Sequence, residues 1–225
     1  MLVFFMGMAR FHNQQNLLIV GLVGFFIISA LTHTFSHISG AHFNPILSLC
    51  LTITNQITIT NSIIYVLCQM GAAFASGALI HMLSTFPGKN IEDSIPMIND
   101  DKRLIAVVLE SISMFLLVFV YNSVMNNPAA PKYIFGVAIA SVYLVCIVAF
   151  GFISGGCLNP ALVIGPGVYV NYFDDMGFYV LGHLIGGVIA GTIYKLFLRK
   201  GDLEDDSDPV NVNLDNDNVV KSKTE

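Results

Sequence analysis

The chain has 225 residues, 55% of them hydrophobic and only 11% charged, against about 25% charged in a typical soluble domain. Its net charge of −5 is a property of the end of the chain. Eight of the 15 acidic residues lie between Asp202 and Glu225, which leaves seven acids against eight bases before them. From Phe11 to Gly88, and again from Tyr133 to Phe173, there is no Asp, Glu, Lys or Arg. Surfaces so bare exclude a water-soluble protein, and bases so scattered exclude a nucleic-acid-binding patch. The reading is an integral, multi-pass membrane protein with lipid as its first partner.

A helix needs about 20 apolar residues to cross the hydrocarbon core, and the elements follow in chain order from that requirement. Met1–Ala9 spans only about 13 Å as helix, so the first helix reads as truncated. Leu17–Phe35 is the first full crossing. Asn44-Pro45-Ile46 opens an apolar piece too short to span, a re-entrant half-helix with Asn as cap and Pro in the first turn. Ile63–Leu83 crosses next, and 86–103, rich in Pro, Asp and Lys, is expected as a solvent-facing loop. Leu104–Met125 and Tyr133–Phe152 cross on either side of a short turn, Asn126–Lys132. Asn159-Pro160-Ala161 opens a second half-helix, and Phe178–Leu198 is the last crossing. The polar segment 202–225 is expected as a disordered acidic tail, separate from a membrane domain over 1–201.

An internal repeat organises these elements. Ser39-Gly40-Ala41-His42-Phe43-Asn44-Pro45-Ile46 lies over Ser154-Gly155-Gly156-Cys157-Leu158-Asn159-Pro160-Ala161 at an offset of 115 residues. Tyr65-Val66-Leu67 recurs as Tyr179-Val180-Leu181 at an offset of 114. The expected fold class is therefore all-α and transmembrane, an inverted repeat of three helices plus one half-helix each. The halves run over about 1–85 and 103–200. Glu110 has no partner at this offset, because its counterpart would fall before Met1.

With Asn-Pro twice, each after Ser-Gly and each opening a half-helix, the sequence resembles the aquaporin (major intrinsic protein) family from Leu2 to about Leu198. The resemblance implies a six-helix bundle and a homotetramer with one pore per subunit. In it Asn44 and Asn159 cap the half-helices and point amide N–H groups into the pore. The carbonyls of Gly40–Phe43 and Gly155–Leu158 form a ladder of acceptors, and the half-helix dipoles repel cations. Glu110 accepts hydrogen bonds from re-entrant backbone, His42 lines the pore, and Cys157 lies near the outer mouth, where mercurials would block. The other cysteines, Cys50, Cys68 and Cys146, are expected as small buried hydrophobes. His183 is left without an account, and the glycines from Gly71 to Gly77 and Gly182 to Gly191 are expected as helix-packing positions.

One departure shapes the expected function. The family's second motif continues with Arg, where this chain has Leu162 and then Val163. Counting along the aligned helices places the other ring positions at Gly24, Ile147 and Gly156. A ring of Gly24, Ile147, Gly156 and Leu162 would be wide, apolar and uncharged. The expected function is a passive channel for small uncharged solutes such as glycerol, urea or ammonia, with water as a co-permeant. A water-selective member and a non-conducting structural membrane protein are the alternatives. A secondary transporter is a further rival, with Glu110 and His42 as its only titratable candidates. Enzymatic chemistry, cofactor and metal have no support, since no nucleophile–base set or ligand spacing is present. Lys195, Arg199 and Lys200 put the C-terminus on the cytoplasmic side.

Overall fold

In the structure, a computed structural model, residues 1–13, 16–84, 90–127 and 130–198 are described. The basic pair Arg199 and Lys200 and the acidic tail 202–225 lie outside them. Among the described residues eight α-helices follow one another: α1 (Leu2–Asn13), α2 (Leu17–Ser39), α3 (Pro45–Ile53), α4 (Ile59–Leu83), α5 (Arg103–Tyr121), α6 (Phe135–Ser154), α7 (Ala161–Gly167) and α8 (Met176–Ile193). Five helical stretches are long and apolar enough to cross a membrane: Leu17–Ser39, Ile59–Leu83, Arg103–Met125, Lys132–Ser154 and Met176–Leu198. They are the five expected crossings, each extended by a few residues at one or both ends.

Local chemistry explains the boundaries. The Asn16 side chain accepts from Ile19 N at the start of α2, and Thr58 caps α4 by accepting from Asn61 N. The helices α2 and α6 both end on a left-handed glycine, Gly40 and Gly155, the residue that adopts this conformation without a Cβ penalty. After α5, Lys132 Nζ donates to the carbonyls of Val124, Met125 and Asn127, which closes the turn into α6. Arg103 pairs with Asp175 at 2.8 Å and ties the start of α5 to the start of α8.

The packing repeats as the sequence does. The helix α2 packs on α6; α1 packs on α2, α4 and α7, as α5 packs on α6, α8 and α3. Thus α1 occupies the place that the repeat assigns to the C-terminal part of α5, and it is helical as far as Asn13, about 18 Å long. The face turned outward is rich in large apolar side chains, among them Phe26, Leu67, Leu104 and Phe152, as lipid contact requires. The segment expected as a solvent-facing loop behaves differently. Ile91, Ser94, Ile95 and Ile98 are buried, and a short 3-10 turn, Ile91–Ser94, packs on α1, α4 and α7. Apolar residues spaced among its charges fold this loop down onto the bundle.

Candidate functional site

Asn44 and Asn159 stand at the centre, both fully buried. Asn44 Oδ1 accepts from the backbone N–H groups of Ile46 and Leu47 at 3.0 and 3.3 Å, which starts α3 at Pro45. Asn159 Oδ1 accepts from Ala161 N at 3.0 Å and starts α7. With its oxygen so engaged, each amide turns its NH2 across the repeat. Asn44 Nδ2 donates to Leu158 O, and Asn159 Nδ2 donates to Phe43 O, both at 2.8 Å. These two bonds are related by the offset of the sequence repeat, and they lock the half-helices N-terminus to N-terminus. Ile46, in place of the small Ala161 of the second motif, is buried in the core.

The backbone before each half-helix is bent in the same register. Positive φ occurs at Gly40, Ala41 and Phe43, and again at Gly155, Gly156 and Leu158. Glycine relieves two of the three positions in the second loop; in the first, Ala41 adopts the conformation of Gly156 with its Cβ present. Tyrosine hydroxyls secure both loops. Tyr121 Oη donates to Gly40 O at 2.8 Å, Tyr65 Oη to Ser39 O at 3.0 Å, and Tyr179 Oη to Ser154 O at 2.7 Å.

Glu110 meets the second loop from α5. Oε1 accepts from Cys157 N at 2.9 Å and Ser154 Oγ at 2.7 Å, and Oε2 accepts from Leu158 N at 2.9 Å. A further partner was missed in the sequence: His183, fully buried on α8, places Nε2 2.8 Å from Oε2. The signal was present, since His183 aligns with Gln69 in the repeat. A titratable residue inside an apolar span calls for a partner, and the span of α5 carries one carboxylate.

His42 is buried on the first loop. Its Nδ1 lies 3.1 Å from Ser48 Oγ, and its ring packs on those of Tyr65 and Tyr121. It borders a cavity of about 10 Å³, together with Thr32, Phe43, Ile28 and Tyr143, about the space one water molecule needs. The Thr32 hydroxyl is buried there without a partner, and Tyr143 Oη lies 3.4 Å from Asn44 Nδ2.

Three of the four ring positions come together. A Cβ on Gly24 would lie 3.6 Å from Ile147 Cδ1, and one on Gly156 would meet the Ile147 backbone at 2.6 Å. Leu162 is buried on α7. Two side chains of α1 stand beside these positions. Met6 fills the space in front of Gly24, with Sδ 2.8 Å from where a Cβ would stand. Arg10, one turn further along α1, is buried and donates from Nη2 to Gly155 O at 2.6 Å and Gly156 O at 3.3 Å. Counting along α2, α6 and α7 could not register a contribution from α1. Cys157 is closed off in the structure. It is fully buried, its Sγ donates to Asn159 O at 3.0 Å, and Pro96 and Met97 of the folded loop sit beside Gly155. Among the cysteines only Cys68 is exposed.

Comparison with known proteins gives the family and the fold. The family model described as Major intrinsic protein matches residues 2–194. Aquaporin NIP1-1 of Zea mays is 31% identical over 182 residues, covering 79% of this chain and 62% of its own length. Nodulin-26 of Glycine max is 28% identical over 188 residues, covering 83% of this chain and 68% of its own. The chain thus spans about two thirds of the length of these relatives. The crystal structure of the aquaglyceroporin from Plasmodium falciparum superposes with a TM-score of 0.65 at 19% identity, over 90% of this chain and 94% of that one, a likeness of fold.

Proposed function

This chain belongs to the major intrinsic protein family, and on that premise we propose that it forms a passive transmembrane channel for small uncharged solutes. The observation that carries the reading is the reciprocal pair of bonds from Asn44 and Asn159 to Leu158 O and Phe43 O. These bonds hold two half-helix N-termini face to face in the middle of an apolar bundle. The second N–H of Asn44 reaches Tyr143 Oη at 3.4 Å, a long bond that the oxygen of a passing molecule replaces. The carbonyls of the bent loops accept from that molecule on either side, and the half-helix dipoles disfavour cations.

The cavity beside Thr32, His42 and Tyr143 has room for about one water, and Met6 occupies the space that Gly24 leaves. A cavity of this size admits water and ammonia most readily, while the larger spaces that His42 also borders, of about 250 and 240 Å³, have room for glycerol and urea to approach it. The orphan Thr32 hydroxyl suits a permeant that both donates and accepts. The subunits assemble in the bilayer as a homotetramer with one pore each, the C-terminus on the cytoplasmic side.

The test is flux into vesicles carrying the purified chain, under gradients of sorbitol, ammonium, urea and glycerol. Water and ammonia should move faster than into protein-free vesicles, with glycerol slower, no saturation and no dependence on an ion gradient. Saturable, ion-coupled uptake would make the protein a transporter, and no flux of any solute would make it a structural membrane protein.

A further inference from the structure

Arg10 is the one buried Lys or Arg among the described residues. A guanidinium inside an apolar bundle is costly unless it pairs or faces water, yet no carboxylate among the described residues forms an ion pair with it. Its contacts are two backbone carbonyls, those of Gly155 and Gly156, and its Nε is buried with no partner at all. A brace for the loop would use the fork of the side chain fully; this one leaves a donor unspent.

Its place on the helix is informative. Leu2, Met6 and Arg10 are spaced by four residues and so lie on one face of α1. Leu2 borders the cavity shared with Thr32 and Tyr143. Met6 packs where Gly24 leaves room, beside Ile147. Arg10 reaches the carbonyls at the opposite end of the same face. That face therefore runs along the proposed path from the first loop to the second, and the charge stands where the path passes Gly155 and Gly156.

We propose that Arg10, delivered by α1, is the cation-excluding group of this pore at the loop 155–158. The inference rests on the channel reading above. The two carbonyls hold the guanidinium in position, and its fixed positive charge, in a region of low dielectric, repels cations beside Gly155 and Gly156. Specificity at this level resides on the first helix, leaving Leu162 of α7 to pack.

The experiment compares wild type, R10Q and R10K in vesicles, reading solute flux and, separately, proton and sodium leak under an imposed voltage. R10Q retains an amide donor for the carbonyls but has no charge; R10K retains the charge without the fork. Wild type should pass solute and exclude cations. R10Q should pass solute and leak cations at least ~10-fold faster, as loss of a unit charge a few ångström from the path requires. R10K should remain tight. Wild type passing no solute sinks the channel reading and this inference with it. Solute flux with R10Q as tight as wild type, or with R10K as leaky as R10Q, leaves the channel intact and makes Arg10 a brace. Should R10Q fail to assemble, R10K decides alone: a tight R10K supports the charge, and a leaky one overturns it.

Discussion

Glu110 makes four side-chain contacts that would otherwise be four separate problems: two loop amides, a serine hydroxyl and the His183 ring. Only a carboxylate offers two acceptor oxygens at once. Glu110→Gln keeps the shape but replaces one acceptor with a donor, leaving Cys157 N or Leu158 N buried without a partner. The expected cost is about 1–3 kcal/mol, read as a lower melting temperature of the purified protein in detergent; an unchanged melt would mean that the loop holds itself. The cysteines give a second prediction at this scale. A lipid-soluble maleimide should modify native protein at Cys68, which is exposed within the span of α4, and Cys68→Ser should abolish that labelling. Cys50, Cys146 and Cys157 should react only after unfolding, because burial denies them the reagent. The importance of Glu110 was legible in the sequence as the lone acid of its span. That of His183 was legible only in the pairing of its position with Gln69 in the repeat, and that of Arg10 was not. Arg10 sits at the end of an apolar run and reads as a boundary charge, and no spacing within α1 reveals that its face points at a loop 145 residues away.

Close helix approach depends on which small residues face a neighbour, and one-dimensional spacing leaves that open. On α8, Gly182 lies against Val107 O, and a Cβ on Gly186 would collide with the carbonyl of Ser111. On α4, Gly77 meets the Gly165 carbonyl of α7, and Gly165 in turn meets Ala73 O. These contacts let α5 and α8, and α4 and α7, pack backbone to backbone, as small residues do in membrane bundles. Gly71, in the same run of small residues as Gly77, has nothing within 4 Å of where a Cβ would stand. Gly186 and Gly71 therefore separate packing from spacing. Gly186→Ala should destabilise by about 1–3 kcal/mol, the usual range for overpacking. Gly71→Ala should be neutral or stabilise by up to about 1 kcal/mol through helix propensity. Parallel thermal melts of the two variants check this, and equal effects would refute the assignment of facing residues. The crossings themselves were readable because length and apolarity define them; the loop 90–102 was not, because its buried isoleucines are diluted by the charges between them.

Across the whole molecule the repeat is kept in backbone and side chain alike, and the places where it fails are as informative as those where it holds. Gly40 and Gly155, Ala41 and Gly156, and Phe43 and Leu158 share left-handed backbone, and the two asparagines exchange bonds across the pseudo-axis. Both loops are therefore legible from one motif written twice. Their supports differ. In the second loop, Cys157 N and Leu158 N donate to Glu110. The counterparts in the first loop, the backbone N–H groups of His42 and Phe43, have no carboxylate acceptor among the described residues. At the position matching His183, Gln69 donates instead to Ser48 Oγ and keeps a buried Oε1 without a partner. Equal backbone shapes thus rest on unequal hydrogen bonding, and local opening follows the weaker set. In hydrogen exchange of the intact protein, the amides of Cys157 and Leu158 should be the slower pair, and those of His42 and Phe43 should exchange at least ~10-fold faster, the ratio that about 1.4 kcal/mol of local stability produces. Glu110→Gln should erase much of that difference by weakening the second loop alone. Equal protection of the two pairs in the native protein would mean that the asparagine exchange, which the two halves share, holds both loops by itself.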